Sequence, residues 1–161
     1  MCLNLFAYRS HPEYKFILAA NRDEFYARSS SPAAFWQAHP QVLGGIDLQQ
    51  GGTWLGITGN GRFSMLTNYR DRRNIIADAP SRGHLVKNFL AGSESPGTYI
   101  SAIEYPERYN GFNLIAADSR EMVCYSNKNN LFQKLNPGIY CMSNAFLDTP
   151  WFKLLRGKTL F

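Results

Sequence analysis

Cysteine is scarce in this sequence: Cys2, Cys124 and Cys141 are the only three, and no CxxC pair occurs. Three thiols cannot all pair, so no disulfide framework or zinc ribbon is expected, and a reducing compartment is. Histidine is equally sparse. His11, His39 and His84 stand singly without ligand spacing, which leaves no metal pattern and no cofactor to expect. No apolar run approaches the ~18–20 residues of a membrane span. The N-terminus also lacks the charged segment followed by an apolar one that marks a secretory signal. A cytoplasmic location is therefore expected, with no integral membrane segment. Neither a helix-turn-helix nor an RNA-binding signature occurs, so no nucleic-acid partner is expected. Internal repeats, low-complexity tracts and domain linkers are absent as well.

What is present is an ordinary globular balance. Of 161 residues, 45% are hydrophobic, 18% charged and 14% aromatic, enough for one domain with its own core over residues 1–161. Lys and Arg number 17 against 12 Asp and Glu, a net charge of +5. Much of the excess lies between Arg62 and Arg82, through NYRDRRN. One reading makes this a loop that attracts phosphates, carboxylates or nucleic acid. The commoner reading is a solvated turn.

The pattern of residues predicts an α+β fold. LNLFAYR (Leu3 to Arg9) and YKFILAAN (Tyr14 to Asn21) read as strands joined by a turn at SHPE. The second is nearly continuously apolar, as in a strand covered on both faces. EFYARSSSPAAFW breaks the alternation and reads as loop. Short strands with glycine turns follow from Val42, and Gly59-Asn60-Gly61 marks a hairpin between WLGIT and RFSMLTN. A helix is predicted through HLVKNFLAG, capped by Ser81 and ended by Gly92. A second spans TYISAIEYPERY, limited by Pro106. Strands return at FNLIAADS, EMVCYSN and GIYCMSN. LDTPWFKLLRGK begins a last helix, with Thr149 as cap and Pro150 in its first turn. Strands followed by helices and again by strands fit antiparallel sheets with helices packed outside.

Cys2 directly follows the initiator methionine. Cells usually trim Met1 before a small residue, which would give Cys2 a thiol and an α-amino group titrating near about 8.5 and 7.7–8.0. Nucleophile and base would then share one residue. A hairpin of the first two strands sets Cys2 opposite Asn21-Arg22-Asp23-Glu24. There Arg22 can lower the thiol pKa and Asp23 can orient the ammonium. The alternative is a buried strand cysteine beside a solvated ion pair. Asn68 and Asn144 each end an apolar run, as oxyanion donors or as plain turn caps. GGTWLG (Gly51 to Gly56) either frames a pocket wall with Trp54 or buries Trp54 in the core, and it lacks the Gly-Lys-Ser/Thr of a P-loop.

Taken in order, MCLNLF, ANRDEFYAR, PAAFW, GGTWLGIT, GRFSMLTNYR, SRGHLVKNFL, GFNLIAAD and SNAFLDTPWFK closely resemble the NRDE proteins, also called the transport and Golgi organization family. The resemblance implies a four-layer αββα sandwich similar to N-terminal nucleophile hydrolases. Members run longer, and GKTLF ends without a closing strand, so the chain reads as an N-terminal portion lacking the C-terminal third. A more distant similarity to the cysteine branch of those hydrolases implies cleavage of an amide C–N bond in a small or lipid-like substrate. In that reading Cys2 is the nucleophile, with Arg22, Asp23 and Asn144 as catalytic partners. Asn21, Asn68, Trp54 and Arg70 would contact substrate. The other reading the family implies is a non-catalytic carrier of haem or acyl-coenzyme A. There the Arg70, Arg72 and Arg73 loop would pair with propionates or phosphates.

Overall fold

The computed structural model describes residues 2–71 and 73–161. Met1 and Arg72, which figured in the sequence reading, lie outside the described residues. Among the described residues ten strands and three α-helices follow in the order β1 (Leu3–Tyr8), β2 (Phe16–Asn21), β3 (Ser30–Phe35), β4 (Val42–Asp47), β5 (Leu55–Thr58), β6 (Phe63–Asn68), α1 (Gly83–Ala91), α2 (Pro96–Ser101), β7 (Phe112–Ala117), β8 (Met122–Ser126), β9 (Leu131–Lys134), β10 (Gly138–Met142) and α3 (Phe152–Leu160). The fold is α+β and mostly sheet. A three-stranded antiparallel sheet has the order β10-β1-β2, and a seven-stranded one runs from β3 to β9 in sequence order.

Alternation along the strands decides which face meets which layer. In β7, Phe112, Leu114 and Ala116 join Leu85, Val86, Phe89 and Leu90 of α1 in one buried cluster. The intervening Ile115 and Ala117 turn the other way, toward Phe6 and Tyr8 of β1 and Met142 of β10. The small sheet repeats the device. Leu5 and Cys141 face outward, where Leu154 of α3 covers them. Two helices thus flank the large sheet, the small sheet packs on its other face, and α3 closes the far side.

Several expectations need correction. β2 is not covered on both faces. It is an edge of the small sheet, and Ala19, Ala20 and Asn21 are exposed. SSPAAF is strand β3 rather than loop. Its bulge between Ser31 and Ala34 and its Pro32 suit its place at the edge of the large sheet. Strand β9 was not anticipated at all. Ser81 does not cap α1, since Arg82 holds the N-cap position without a side-chain bond. Thr149 does not cap α3 either. Trp151 holds that position, Thr149 Oγ1 donates to the Phe146 carbonyl, and Pro150 precedes the helix. α2 begins earlier than expected, with Ser95 accepting from the Thr98 N–H, and ends at Ser101.

Arg62 departs furthest from the solvated-turn reading. It is buried, its Nε and Nη2 donate to the Phe89 carbonyl at 3.2 and 2.8 Å, and its Nη1 donates to the Glu94 carbonyl at 2.8 Å. The guanidinium also lies 4.0 Å from the centre of the Phe89 ring. It therefore satisfies carbonyl groups at and beyond the last turn of α1, where a cation is favoured. One close approach fixes the other end of this helix. A Cβ on Gly52 would come 2.5 Å from the Gly83 backbone, so only glycine lets the β4–β5 connection touch the start of α1.

Arg62→Met is expected to cost about 2 kcal/mol or more by stripping charged hydrogen bonds from buried carbonyls. Gly59→Ala, where an added Cβ meets nothing within 4 Å, is expected to leave stability unchanged. Urea unfolding reads both. Equal midpoints for Arg62→Met and the parent would contradict the role given to this arginine.

Candidate functional site

The candidate site forms where β1 begins. In the β1–β2 register Leu3 faces Asn21, so Cys2 comes level with Arg22. On the other side of β1, Asn4 faces Met142, which carries Ser143 and Asn144 toward the same end. A central strand thus receives polar residues from both neighbours. The sheet register places them, and no local motif is needed.

Cys2 is half-buried, and the Asp23 N–H donates to its Sγ at 3.5 Å. Its carbonyl is held from below. Ser143 Oγ donates to it at 2.5 Å and Lys153 Nζ at 2.9 Å, while Lys153 also donates to Ser143 Oγ at 2.6 Å. Burial pushes the Cys2 thiol up from its ordinary value, and the charges of Arg22 and Lys153 pull against it without reversing the shift. The expectation that Arg22 lowers this pKa is met in direction but outweighed by desolvation. Burial likewise pushes the Lys153 ammonium down.

A cleft of about 400 Å³ opens beside Cys2. Arg22, Asp23, Glu24, Arg28, Asp47, Trp54, Asn68 and Arg82 are among its walls. Arg22 pairs with Glu24 at 3.1 Å, and Arg28 pairs with Asp47 at 2.6 Å and Glu24 at 3.7 Å. The Asp47 carboxyl is held below its usual range: burial pushes it up, but the Arg28 bond and two backbone N–H bonds prevail. Trp54 is half-buried in the cleft wall rather than sealed in the core.

The predicted residues therefore fall into two groups. Cys2, Arg22, Asp23, Asn68 and Trp54 share the cleft. Asn144, Asn21 and Arg70 are not among its lining residues. Asn144 stands behind the wall and donates through Nδ2 to the Asn68 carbonyl at 2.9 Å. Its own carbonyl accepts the Arg70 N–H at 2.8 Å, which ties the loop after β6 to the end of β10. Asn21 is exposed at the end of β2. Ser143 and Lys153 were missed by sequence reasoning. Both lie within SNAFLDTPWFK, where only the asparagine carries a local signal. Arg28 and Arg82 were passed over too, within ANRDEFYAR and SRGHLVKNFL.

Cys124 and Cys141 are of another kind. Burial pushes both thiols up to about 12, helped at Cys141 by Asp148, whose Oδ1 lies 3.1 Å from its Sγ. Among the described residues no cluster of His, Cys, Asp and Glu is arranged to hold a metal ion. No helix among them is long and apolar enough to cross a membrane.

A family model described as Transport and Golgi organisation 2 matches residues 1–161. The chain is 42% identical over 175 residues to the Transport and Golgi organization 2 homolog of Mus musculus, a match covering 100% of this chain and 63% of that protein. Identity to the Homo sapiens homolog is 41% over 175 residues, again with 100% and 63% covered. Against Transport and Golgi organization protein 2 of Drosophila melanogaster it is 32% over 184 residues, covering 100% of this chain and 64% of that one. The chain therefore spans less than two thirds of the length of these relatives.

Alkylation tests the electrostatics of the site. Iodoacetamide should label Cys2 before Cys124 and Cys141. Because burial raises its pKa above the ordinary thiol value, only a small fraction of the thiol is ionised at pH 7 while Met1 is retained. The rate should rise about tenfold per pH unit between pH 7 and 8, and Arg22→Gln should slow it at each pH. A plateau below pH 8 would contradict the burial argument.

Proposed function

The chain belongs to the Transport and Golgi organisation 2 family, and from that premise we propose that it is a cysteine amidohydrolase with Cys2 as nucleophile. The observation that carries this reading is the meeting of Cys2, Arg22, Asp23 and Asn68 at one cleft, although strand hairpins and a separate sheet deliver them. The layer order supports a further comparison: helices, seven-stranded sheet, three-stranded sheet and helix are what an αββα sandwich similar to N-terminal nucleophile hydrolases would present. In such a scaffold the first strand delivers the nucleophile.

Removal of Met1 would give Cys2 its own α-amino group as base. That amine takes the thiol proton, and the thiolate adds to the substrate carbonyl carbon. A C–S bond forms as the carbonyl electron pair moves onto oxygen. The Asp23 N–H and the Asn68 amide are the donors at hand for that oxyanion. Collapse breaks the C–N bond, the leaving nitrogen takes the proton held by the α-ammonium, and a thioester remains. Water then attacks the thioester, releasing a carboxylic acid and restoring the thiol. Arg22 stabilises the thiolate, and Asp23 orients the ammonium. Asn144 positions Asn68 through its carbonyl, and Trp54 supplies an apolar wall. Asn21 and Arg70 would touch only a substrate that extends past the cleft.

The carrier reading receives less support from the geometry. A haem macrocycle or an acyl chain needs broad apolar walls. Ile46, Trp54 and Leu66 are set here among arginines, carboxylates and hydroxyl groups.

The test is release of free amine from a panel of N-acyl amino acids and N-acyl sphingosine by protein freed of Met1. Cys2→Ala should lower the rate at least about a thousandfold, and Arg22→Gln should lower it less. Undiminished release by Cys2→Ala would overturn the proposal. So would saturable haem or acyl-coenzyme A binding that ignores Cys2 in a protein without amidase activity.

A further inference from the structure

The charges around the cleft do not cancel in the way their equal numbers suggest. Among the described lining residues are three guanidinium groups, from Arg22, Arg28 and Arg82, and three carboxylates, from Asp23, Glu24 and Asp47. Glu24 and Asp47 are engaged by Arg22 and Arg28. Asp23 lies on the side of the cleft formed by Cys2. Arg82 has no carboxylate partner among the described residues. Among the described residues its guanidinium makes one hydrogen bond, from Nη1 to the Gly111 carbonyl at 2.9 Å. That bond anchors the guanidinium, and among the described residues neither Nε nor Nη2 has an acceptor.

We infer that Arg82 binds an oxyanion of the substrate, a carboxylate or a phosphate, and so selects an anionic ligand for the cleft. A planar fork held on one side by a main-chain carbonyl presents its other N–H groups in parallel, the geometry that accepts two oxygens of one anion. Arg82 is half-buried, so the attraction is screened less than at an exposed arginine. Burial and the neighbouring Arg28 charge push its guanidinium down from the ordinary value against a weaker pull from Glu24, a cost that an arriving anion offsets. The reacting group and the anion are thus held by different parts of the cleft: Cys2 by the small sheet, and Arg82 at the entry to α1. This assignment of substrate class rests on the amidohydrolase reading only for the identity of the reacting group. The anion site itself does not depend on turnover.

Phenylglyoxal modification of arginines, followed residue by residue by peptide mass spectrometry, tests the inference on the Cys2→Ala chain, which cannot turn over substrate. N-acetylglycine and inorganic phosphate are the anionic probes, and N-acetylglycinamide is the neutral control. A saturating anion should slow modification of Arg82 about tenfold, the scale of a charge-assisted pair, while Arg28 reacts as before. Stronger protection by N-acetylglycine assigns a carboxylate ligand, and stronger protection by phosphate assigns a phosphate ester. No protection by either anion, or equal protection by N-acetylglycinamide, overturns the inference. Protection of Arg82 in a protein whose Cys2 form releases no amine would keep the anion site and discard the hydrolase reading.

Discussion

The main-chain carbonyl of Cys2 is the point on which the site depends. Ser143 at the end of β10 and Lys153 in the first turn of α3 both donate to it, and Lys153 also donates to Ser143 Oγ. Cys2 precedes β1 and lies outside the ladder that fixes the strand. Here it is fixed from two elements remote in sequence, and the thiol is turned toward Asp23 and the cleft. The arrangement has a cost. Lys153 is partly desolvated, and its charge is held close to a thiol that burial keeps protonated. An ammonium spent on a carbonyl rather than on a carboxylate keeps its positive field at the sulfur, which is where a thiolate would need it.

The second constraint is how the two sheets are joined at that end. Asn113 of β7 donates from Nδ2 to Thr67 Oγ1 and to the Ala145 carbonyl, binding the large sheet to the segment after β10. Asn144 adds the bond to the Asn68 carbonyl. Away from this end the sheets meet mainly through apolar side chains such as Phe6, Met65, Ile115 and Met142, with Arg9 Nη2 donating to the Ser119 and Arg120 carbonyls at the opposite end. The polar ties orient the cleft. The Oδ1 atoms of Asn4 and Asn113 are buried without a partner among the described residues, so some stability is given up where the polar residues concentrate.

Much of the fold was legible because its strands alternate and its turns carry glycine. β1, β4 to β8 and β10 follow from that pattern, and so does the body of α1, whose buried face is Leu85, Val86, Phe89 and Leu90. β3 and β9 were not legible for a shared reason. Both are edge strands with mostly exposed side chains, so hydrophobic alternation had nothing to act on. The exposure of β2 was hidden by its apolar sequence, since composition does not say how many neighbours a strand has. At the site, Cys2 against Arg22 and Asp23 could be read because one hairpin makes that contact. Ser143, Lys153 and Arg82 could not, because their positions depend on how β10, α3 and α1 pack. Arg62 looked like part of a basic loop, and only the end of α1 explains why a guanidinium is buried there.

All of this gives Cys2 a place, and its chemistry turns on whether its amino group is free. The most direct measurement is the intact mass of the protein as it occurs in cells. The account predicts loss of Met1 from most molecules, leaving Cys2 as the first residue. Met1 retained throughout, in protein that is otherwise folded, would contradict it.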